Sequence, residues 1–253
     1  SYYRQDCSEY NKIQNILQKY AEAAKYGKAE IVKHYFHEQA VIFGEIDGKK
    51  IEGLINLESL LSAGPANTSF NFRIDILDLE KSAAIVKVLE DGLNGYNFTD
   101  IIMLQKINGE WKIVAKIFEV LGKNNENKTY LSSPDIKEYE NVEKNARKFI
   151  EGVKNGNADI LKPYFHEKAS MFGQYDDTIE AGSIQNLYNS LAKVGSCGED
   201  YIARVDLLLV ENNIAVAKVI EDNWAGYKFT DFLAMQKIDG VWKIVAKVYD
   251  TLN

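Results

Sequence analysis

The hydrophobic residues near the start of the chain recur at the spacing of an amphipathic helix. Within residues 9–26 the apolar side chains fall three or four positions apart, which places them on one helix face. This stripe consists of Ile13, Ile16, Leu17, Tyr20 and Ala24. Gly27 follows and is predicted to end the helix. A short second helix carrying Ile31, Val32, Tyr35 and Phe36, a strand through 41–43 and a third helix at 57–61 are expected next.

The pattern then changes to the alternation of strands. Alternating runs at 69–79, 84–91, 96–107 and 110–120 predict four consecutive strands. Asn108-Gly109, between the last two runs, is a dipeptide strongly favoured in two-residue hairpin turns. Helices followed by an antiparallel meander are typical of an α+β fold.

The whole pattern occurs twice in the chain. The segment HYFHEQAVIFG at 34–44 returns as PYFHEKASMFG at 163–173, and QKINGEWKIVAK at 105–116 returns as QKIDGVWKIVAK at 236–247. The second copy repeats the first helix through Val142, Ala146, Phe149, Ile150 and Val153. We therefore predict a first domain over 1–121, a polar linker over 122–137 and a second domain over 138–253.

An unbroken ladder from the Asn108-Gly109 turn sets Asp100 opposite Ile117 and assigns residues to the two faces of the sheet. The more apolar face is predicted to pack on the helices, and it comprises Ile85, Lys87, Leu89, Phe98, Asp100, Ile102, Leu104, Trp111, Ile113, Ala115 and Ile117. The mixed face comprises Val86, Val88, Glu90, Thr99, Ile101, Met103, Gln105, Lys112, Val114, Lys116 and Phe118. Because this half-apolar face occurs in both copies, the two sheets are predicted to pack on each other as an internal pseudo-dimer.

Composition and charge exclude several classes of function. The 253 residues include 30 Lys and Arg against 37 Asp and Glu, a net charge of −7 without a basic block, which argues against nucleic acid and anionic membranes as partners. The two cysteines cannot form a disulfide framework, and no apolar run approaches the length of a membrane helix. We expect a soluble chain, with the cytoplasm slightly favoured; since the sequence begins at Ser1, a removed signal peptide stays open.

The repeated motifs resemble a known family. The YFHE segment that leads into the first strand, and the FTD…QKI(N/D)GxWKIVxK ending, are similar to the nuclear transport factor 2-like superfamily, closest to its lumazine-binding and SnoaL-like branches. The resemblance implies two tandem cone-shaped half-barrels, each with helices packed on a curved antiparallel sheet that encloses a pocket. It also implies pairing through the outer sheet faces. Members that resemble ketosteroid isomerases use a pocket carboxylate with an acidic hydrogen-bond donor.

Asp100 and its repeat Asp231 are the main candidates for chemistry, because an acid on an apolar sheet face is costly unless it is paired or lines a cavity. As pocket residues they would serve as general bases, with Tyr96 and Tyr227 as the hydrogen-bond donors to test. The structural alternative is a cross-strand ion pair, since a four-residue loop at 92–95 would place Lys87 opposite Asp100, and Lys218 likewise in the second copy.

Histidines are the second candidates. His37 and His166 lie where a helix gives way to a strand, and each would either shuttle protons at the pocket mouth or bond a nearby backbone group. The run from His34 to Glu38 does not make a metal site, because Pro163 replaces His34 in the second copy and no further ligands are suitably spaced.

Aromatic side chains complete the predicted pocket. The residues expected to line it are Lys87, Lys218, Phe98, Phe229, Phe43, Phe172 and Trp224. Trp111 and Trp242 are interpreted as core anchors, whereas Trp224 replaces Leu93 in a loop and is expected to cover the second pocket or contact a partner. This divergence between copies hints that one pocket alone is active.

Three classes of function stay open. The preferred one is binding of a small hydrophobic or aromatic molecule without catalysis. The alternatives are a cofactor-independent isomerase, dehydratase or cyclase that uses the aspartates with Tyr96, Tyr227, His37 or His166, and a protein-interaction scaffold. No phosphate-cradle, dinucleotide or nucleophile-elbow motif occurs, so no cofactor is predicted.

Overall fold

The protein folds into two copies of one α+β unit, each a six-stranded sheet with helices against one face. The computed structural model describes residues 7–61, 70–123 and 134–252. The predicted fold, two tandem α+β half-barrels, is confirmed. Of the predicted linker, residues 124–133 lie outside the described part of the chain.

The two units have nearly the same order of elements. The first runs α1 (Ser8–Tyr26), β1 (Phe36–Ile46), β2 (Lys49–Leu54), α2 (Leu57–Leu61), β3 (Asn71–Leu79), β4 (Ala83–Leu93), β5 (Tyr96–Ile107) and β6 (Glu110–Lys123). The second runs α3 (Ile136–Asn155), α4 (Ala158–Leu161), β7 (Phe165–Tyr175), β8 (Thr178–Ser183), α5 (Gln185–Val194), β9 (Ile202–Val210), β10 (Ile214–Trp224), β11 (Tyr227–Ile238) and β12 (Val241–Thr251). In place of the short second helix predicted for the first unit there are two 3₁₀ turns, Ala29–Ile31 and Lys33–Tyr35.

The first helix of each unit follows the predicted stripe. In α1 the residues Ile13, Leu17 and Tyr20 are almost fully buried. The equivalent helix, α3, is capped at its start by Asp135, whose side chain accepts a hydrogen bond from the backbone N–H of Lys137, and at its end by Gly156 with φ +59°. A Cβ on Gly156 would lie 2.2 Å from the carbonyl carbon of Gly195, so this position requires glycine.

In each sheet the first strand, β1 or β7, lies beside the last strand, β6 or β12. The order is β2-β1-β6-β5-β4-β3 in the first unit and β8-β7-β12-β11-β10-β9 in the second. The β1–β6 and β7–β12 pairs are parallel, and the other pairs are antiparallel. The predicted hairpin at Asn108-Gly109 is present, with both residues at positive φ.

A β-bulge in the last strand of each unit changes which residues share a face. Met103 pairs with Ala115 but the next residue, Leu104, pairs with Ile113, so Val114 is the extra residue. The shift places Lys116 and Phe118 on the same side as Asp100, and it moves Ala115 and Ile117 to the opposite side. The predicted pairing of Asp100 with Ile117 is therefore wrong, because Asp100 lies opposite Phe118.

A second bulge, in β4, places the residues of this strand on the opposite faces from those predicted. The β4–β5 connection is a two-residue turn with Gly92 as an extra residue at φ +85°, rather than a four-residue loop. Val88 lies opposite Asp100, and Lys87 lies opposite Ile101. Glu90 therefore lies with Asp100 on the helix-covered face. The prediction that Lys87 lies on this face is wrong.

The two sheets pack on each other through their outer faces, as predicted for an internal pseudo-dimer. The inter-sheet core takes residues from both units, among them Ile101, Met103, Val114, Val216, Phe232 and Val245. At the edges of this core, a lysine of each unit forms an ion pair with a glutamate of the other unit. Lys87 lies 3.0 Å from Glu211, and Lys218 lies 2.8 Å from Glu80.

No helix in the described ranges is long and apolar enough to cross a membrane.

Candidate functional site

Each unit buries two carboxyl groups and a lysine on three adjacent strands. In the second unit these are Glu221 on β10, Asp231 on β11 and Lys247 on β12, and all three are at least 95% buried. The Lys247 ammonium lies 2.7 Å from Asp231. The first unit repeats the arrangement with Glu90, Asp100 and Lys116, where the ammonium lies 3.7 Å from Asp100. We refer to these two trios as the acid–lysine clusters.

Burial favours the protonated form of the glutamate in each cluster. Burial, together with the adjacent Asp231, raises the pKa of Glu221 well above its ordinary value, and burial with Asp100 does the same for Glu90. Burial disfavours the charge on Lys116, but Asp100, Tyr20 and Glu90 outweigh it, so that the pKa of Lys116 is raised. A cluster in which two carboxyls share one proton beside one ammonium carries no net charge, and burying it costs less than burying an unpaired charge.

A tyrosine hydroxyl supports each cluster from a different side. In the second unit Tyr201 donates a 2.7 Å hydrogen bond to Glu221, and the corresponding first-unit residue is Phe70. In the first unit Lys116 donates to the Tyr20 hydroxyl at 2.5 Å, and the corresponding second-unit residue is Phe149. Glu221 therefore accepts a hydrogen bond from a tyrosine. The Glu90 oxygens accept no such bond from the described residues.

Glu221 and Lys247 lie in the wall of a cavity of about 350 Å³. The cavity is enclosed by α3, α5 and strands of the second sheet. Its lining is mostly apolar and aromatic, and consists of Phe149, Val153, Met171, Tyr175, Glu180, Leu187, Ser190, Lys193, Val194, Glu221, Trp224, Ala225, Tyr227, Phe229, Lys247 and Tyr249. A volume of this size suits a small organic molecule.

Aromatic rings form one continuous side of this cavity. Phe229 lies at the centre, with ring centroids 5.7 Å from Trp224, 5.7 Å from Tyr227 and 5.4 Å from Tyr249. Trp224 is positioned by a tight turn in which Ala225 adopts φ +51°. A left-handed conformation at an alanine is strained, and such strain is commonly found at functional sites.

The equivalent positions of the first unit are more apolar. Phe118 stands where the second unit has Tyr249, and Ile51 where it has Glu180. Phe118, Phe98 and Ile42 form an apolar cluster with Leu93 packed against it. The two copies therefore keep the same buried acid but differ in the polarity of the surfaces around it.

The structure brings some of the residues predicted for the site together. Asp231 lies in the acid–lysine cluster directly behind the cavity wall, and Trp224, Tyr227 and Phe229 line the cavity. Asp100 and Phe98 occupy the matching places in the first unit.

The hydroxyl of Tyr227 is directed away from the cluster, because it donates to Asp176. Tyr96 donates to Asp47 in the same way. The structure therefore gives no support for these tyrosines as partners of the aspartates.

Lys87 and Lys218 lie on the outer sheet faces, opposite Ile101 and Phe232 of the inter-sheet core. Each lysine makes its ion pairs across the inter-sheet boundary, Lys87 with Glu211 and Lys218 with Asp78 and Glu80. The predicted Lys87–Asp100 pair is wrong, since the bulge at Gly92 turns Lys87 to the other side of the sheet.

Phe43, Phe172, His37 and His166 also belong to the inter-sheet region. Phe43 and Phe172 are buried in the inter-sheet core. Each histidine ring packs edge-on against the phenylalanine of the other unit, with His37 5.5 Å from Phe172 and His166 5.1 Å from Phe43. Burial lowers the pKa of His37. These four residues contribute to packing between the units rather than to a pocket.

Sequence reasoning missed the glutamates and lysines of both clusters. Glu90 and Lys116 were placed on the mixed face because the bulges at Gly92 and Val114 are not visible in the hydrophobic pattern. A signal was present nonetheless: the glutamate, aspartate and lysine all recur in the second copy as Glu221, Asp231 and Lys247. The described residues contain no group of histidine, cysteine, aspartate or glutamate side chains arranged to hold a metal ion.

Comparison with known proteins agrees with this architecture. The model of a family described as "Putative lumazine-binding" matches residues 8–119 and again 137–250, so the chain belongs to this family and contains it twice. The chain is 33% identical over 113 residues to aldolase FrzH from a Cladobotryum species, a match that covers 44% of this chain and 90% of that protein.

Solved structures of NTF2-like proteins of unknown function also match single copies. One from Shewanella baltica OS155 is 30% identical, with a TM-score of 0.43, and the match covers 50% of this chain and 99% of that one. Another, from Methylobacillus flagellatus KT, is 30% identical with a TM-score of 0.43, covering 46% and 95% respectively.

The raised pKa of Glu90 links the stability of the fold to pH. Because the folded-state pKa of Glu90 is raised, its contribution to stability is complete at low pH and is lost as the pH rises above the ordinary glutamate value towards the raised one. Glutamine has no proton to lose. Glu90→Gln is therefore expected to gain stability over the wild type with rising pH, by up to about 1.4 kcal/mol per pH unit.

Urea denaturation of both proteins between pH 5 and 8 measures this difference in the free energy of unfolding. Glu45→Gln, at an exposed position, is the control and is expected to track the wild type. A Glu90→Gln difference that stays constant over this range would show that Glu90 is ionised in the folded protein.

Proposed function

We propose that the second unit binds a small, largely apolar or aromatic molecule in the cavity beneath Trp224. The observation that carries the proposal is a cavity of about 350 Å³ with an aromatic side and one buried, proton-bearing acid, Glu221. Apolar cavities with few polar groups are the common form of small-molecule sites. Membership of a family described by ligand binding agrees with it.

The acid indicates which polar group the ligand carries. A protonated carboxyl in an apolar wall is a hydrogen-bond donor, and a ketone or aldehyde oxygen is an acceptor that tolerates the same surroundings. Tyr201 already donates to Glu221, so the donor for a ligand is the proton that Glu221 otherwise shares with Asp231, turned towards the cavity. We therefore infer a carbonyl compound, bound with its oxygen towards Glu221 and its rings along Phe229.

Filling the cavity tests this proposal. Ser190 on α5 lines the cavity, and a tryptophan there would occupy the ligand's space. With 2-acetylnaphthalene as the probe, Ser190→Trp is expected to weaken binding by at least roughly tenfold, measured by calorimetry on the full chain. Ala192→Trp adds the same ring on the exposed side of α5 and is expected to leave the affinity unchanged. Absence of wild-type binding, or equal binding to Ser190→Trp, would contradict the proposal.

A second candidate function is acid catalysis on the bound carbonyl compound. It is favoured by the raised pKa of Glu221, since a general acid must hold its proton near neutral pH. The name of one relative, aldolase FrzH, points to the same class of chemistry, in which a carbon next to a carbonyl group loses a proton. Here Glu221 would donate to the carbonyl oxygen as the enol forms, while water takes the carbon-bound proton.

Hydrogen exchange at the probe's methyl group tests the catalytic candidate. In D₂O the full chain is expected to accelerate deuterium incorporation into 2-acetylnaphthalene, followed by proton NMR. Glu221→Gln keeps a donor but has no acid proton, so the rate should fall on the order of a hundredfold while binding changes little. Glu90→Gln in the first unit is the matched control, with an unchanged rate. Exchange that is equal in Glu221→Gln and the wild type would exclude this role.

A further inference from the structure

Glu180 is a carboxylate in the cavity wall that the acid–lysine cluster does not use. It lies on β8 opposite Gly173 of β7 and accepts a hydrogen bond from the Tyr249 hydroxyl. Gly173 makes this contact possible, because a Cβ there would lie 2.2 Å from the Tyr249 ring. No lysine, arginine or histidine nitrogen within the described ranges lies within 4.0 Å of the Glu180 oxygens. The carboxylate therefore has no cationic partner in this part of the chain.

The first unit shows that this carboxylate is not needed for the fold. Ile51 occupies the same position on β2, opposite Gly44, and Phe118 replaces the tyrosine. Gly44 accommodates the Phe118 ring as closely as Gly173 accommodates Tyr249. An apolar pair thus fills the same place in one copy, which indicates that the Glu180–Tyr249 pair serves the cavity of the other.

The aromatic side of the cavity complements a positive charge. Trp224, Tyr227 and Phe229 line the cavity, and aromatic rings attract cations through the negative charge density of their faces. Lys247 already uses this property, since its ammonium lies 4.4 Å from the centre of the Tyr249 ring.

The other charged groups around the cavity do not offset the negative charge of Glu180. The Lys247 ammonium is paired with Asp231 at 2.7 Å, and burial raises the pKa of Glu221, which favours its neutral form. Lys193 lines the cavity at the end of α5, but it is exposed, so water and salt screen its charge. Asp176, bonded to Tyr227 beside the cavity, is exposed as well, so its charge is screened in the same way.

We propose that the ligand of the second unit carries a cationic nitrogen, a protonated or quaternary amine, held between Glu180 and the aromatic rings. This inference rests on the proposed binding function and names the chemical class of its ligand. The amine lies at the Glu180–Tyr249 side of the cavity, and the apolar body of the molecule extends along Phe229.

A pair of probes that differ by one atom tests the charge alone. (2-Naphthylmethyl)trimethylammonium and 2-neopentylnaphthalene have the same shape, but the first has a positive nitrogen where the second has carbon. Each competes with 2-acetylnaphthalene for the full chain, and the wild type is expected to prefer the cation by roughly tenfold. In Glu180→Gln, where glutamine can still accept from Tyr249, the preference should fall to about twofold or less.

The control removes a charge elsewhere. Glu45 lies exposed on β1, and the second unit has Gln174 at the matching position, so Glu45→Gln is expected to keep the wild-type preference. A wild type without preference for the cation, or a preference that Glu180→Gln retains, would overturn the amine while the binding function stands. Absence of binding by 2-acetylnaphthalene and both naphthalene probes would overturn the binding function and, with it, the amine.

Discussion

The β-bulge in the last strand of each unit is the constraint on which the site depends. Without Val114 or Val245 as an extra residue, strict alternation would place Lys116 and Lys247 against the other sheet. The bulge turns the second half of the strand, so that the lysine faces the buried carboxyls. Two carboxyls can then share one proton beside one ammonium, and the interior of each unit can hold acids that an apolar core would otherwise reject.

The two copies share this framework but differ on their inner sheet faces. The outer faces of both sheets are buried in the inter-sheet core. At its edges Lys87 and Lys218 each form an ion pair with the other unit. The inner faces are then free to diverge. The first unit has Phe70, Ile51 and Phe118 where the second has Tyr201, Glu180 and Tyr249. This exchange supports a more polar ligand site in the second unit, over the same acid–lysine cluster.

The sequence was sufficient to predict the architecture, because repeat, periodicity and turn residues are each local properties. The α1 stripe, the Asn108-Gly109 hairpin and the paired sheets follow from them. The site was only partly predictable. Asp100 and Asp231 stand out as acids on an apolar face, but their partners depend on bulges, which alter the face of every later residue and leave no mark in the hydrophobic pattern. Phe43 and His37 were misplaced for a different reason, since their role depends on contact with the other unit.

The proposed functions both depend on a protonated Glu221 in the wall of the cavity of the second unit. Carbon-13 NMR of glutamate side-chain carboxyls measures this directly, with the Glu221 signal assigned by its loss in Glu221→Gln. This carboxyl is expected to titrate well above the ordinary glutamate range, because burial and the adjacent Asp231 raise the pKa of Glu221. A Glu221 signal that moves together with those of the exposed glutamates would contradict the account, because the cavity wall would then carry a fixed negative charge in place of a proton donor.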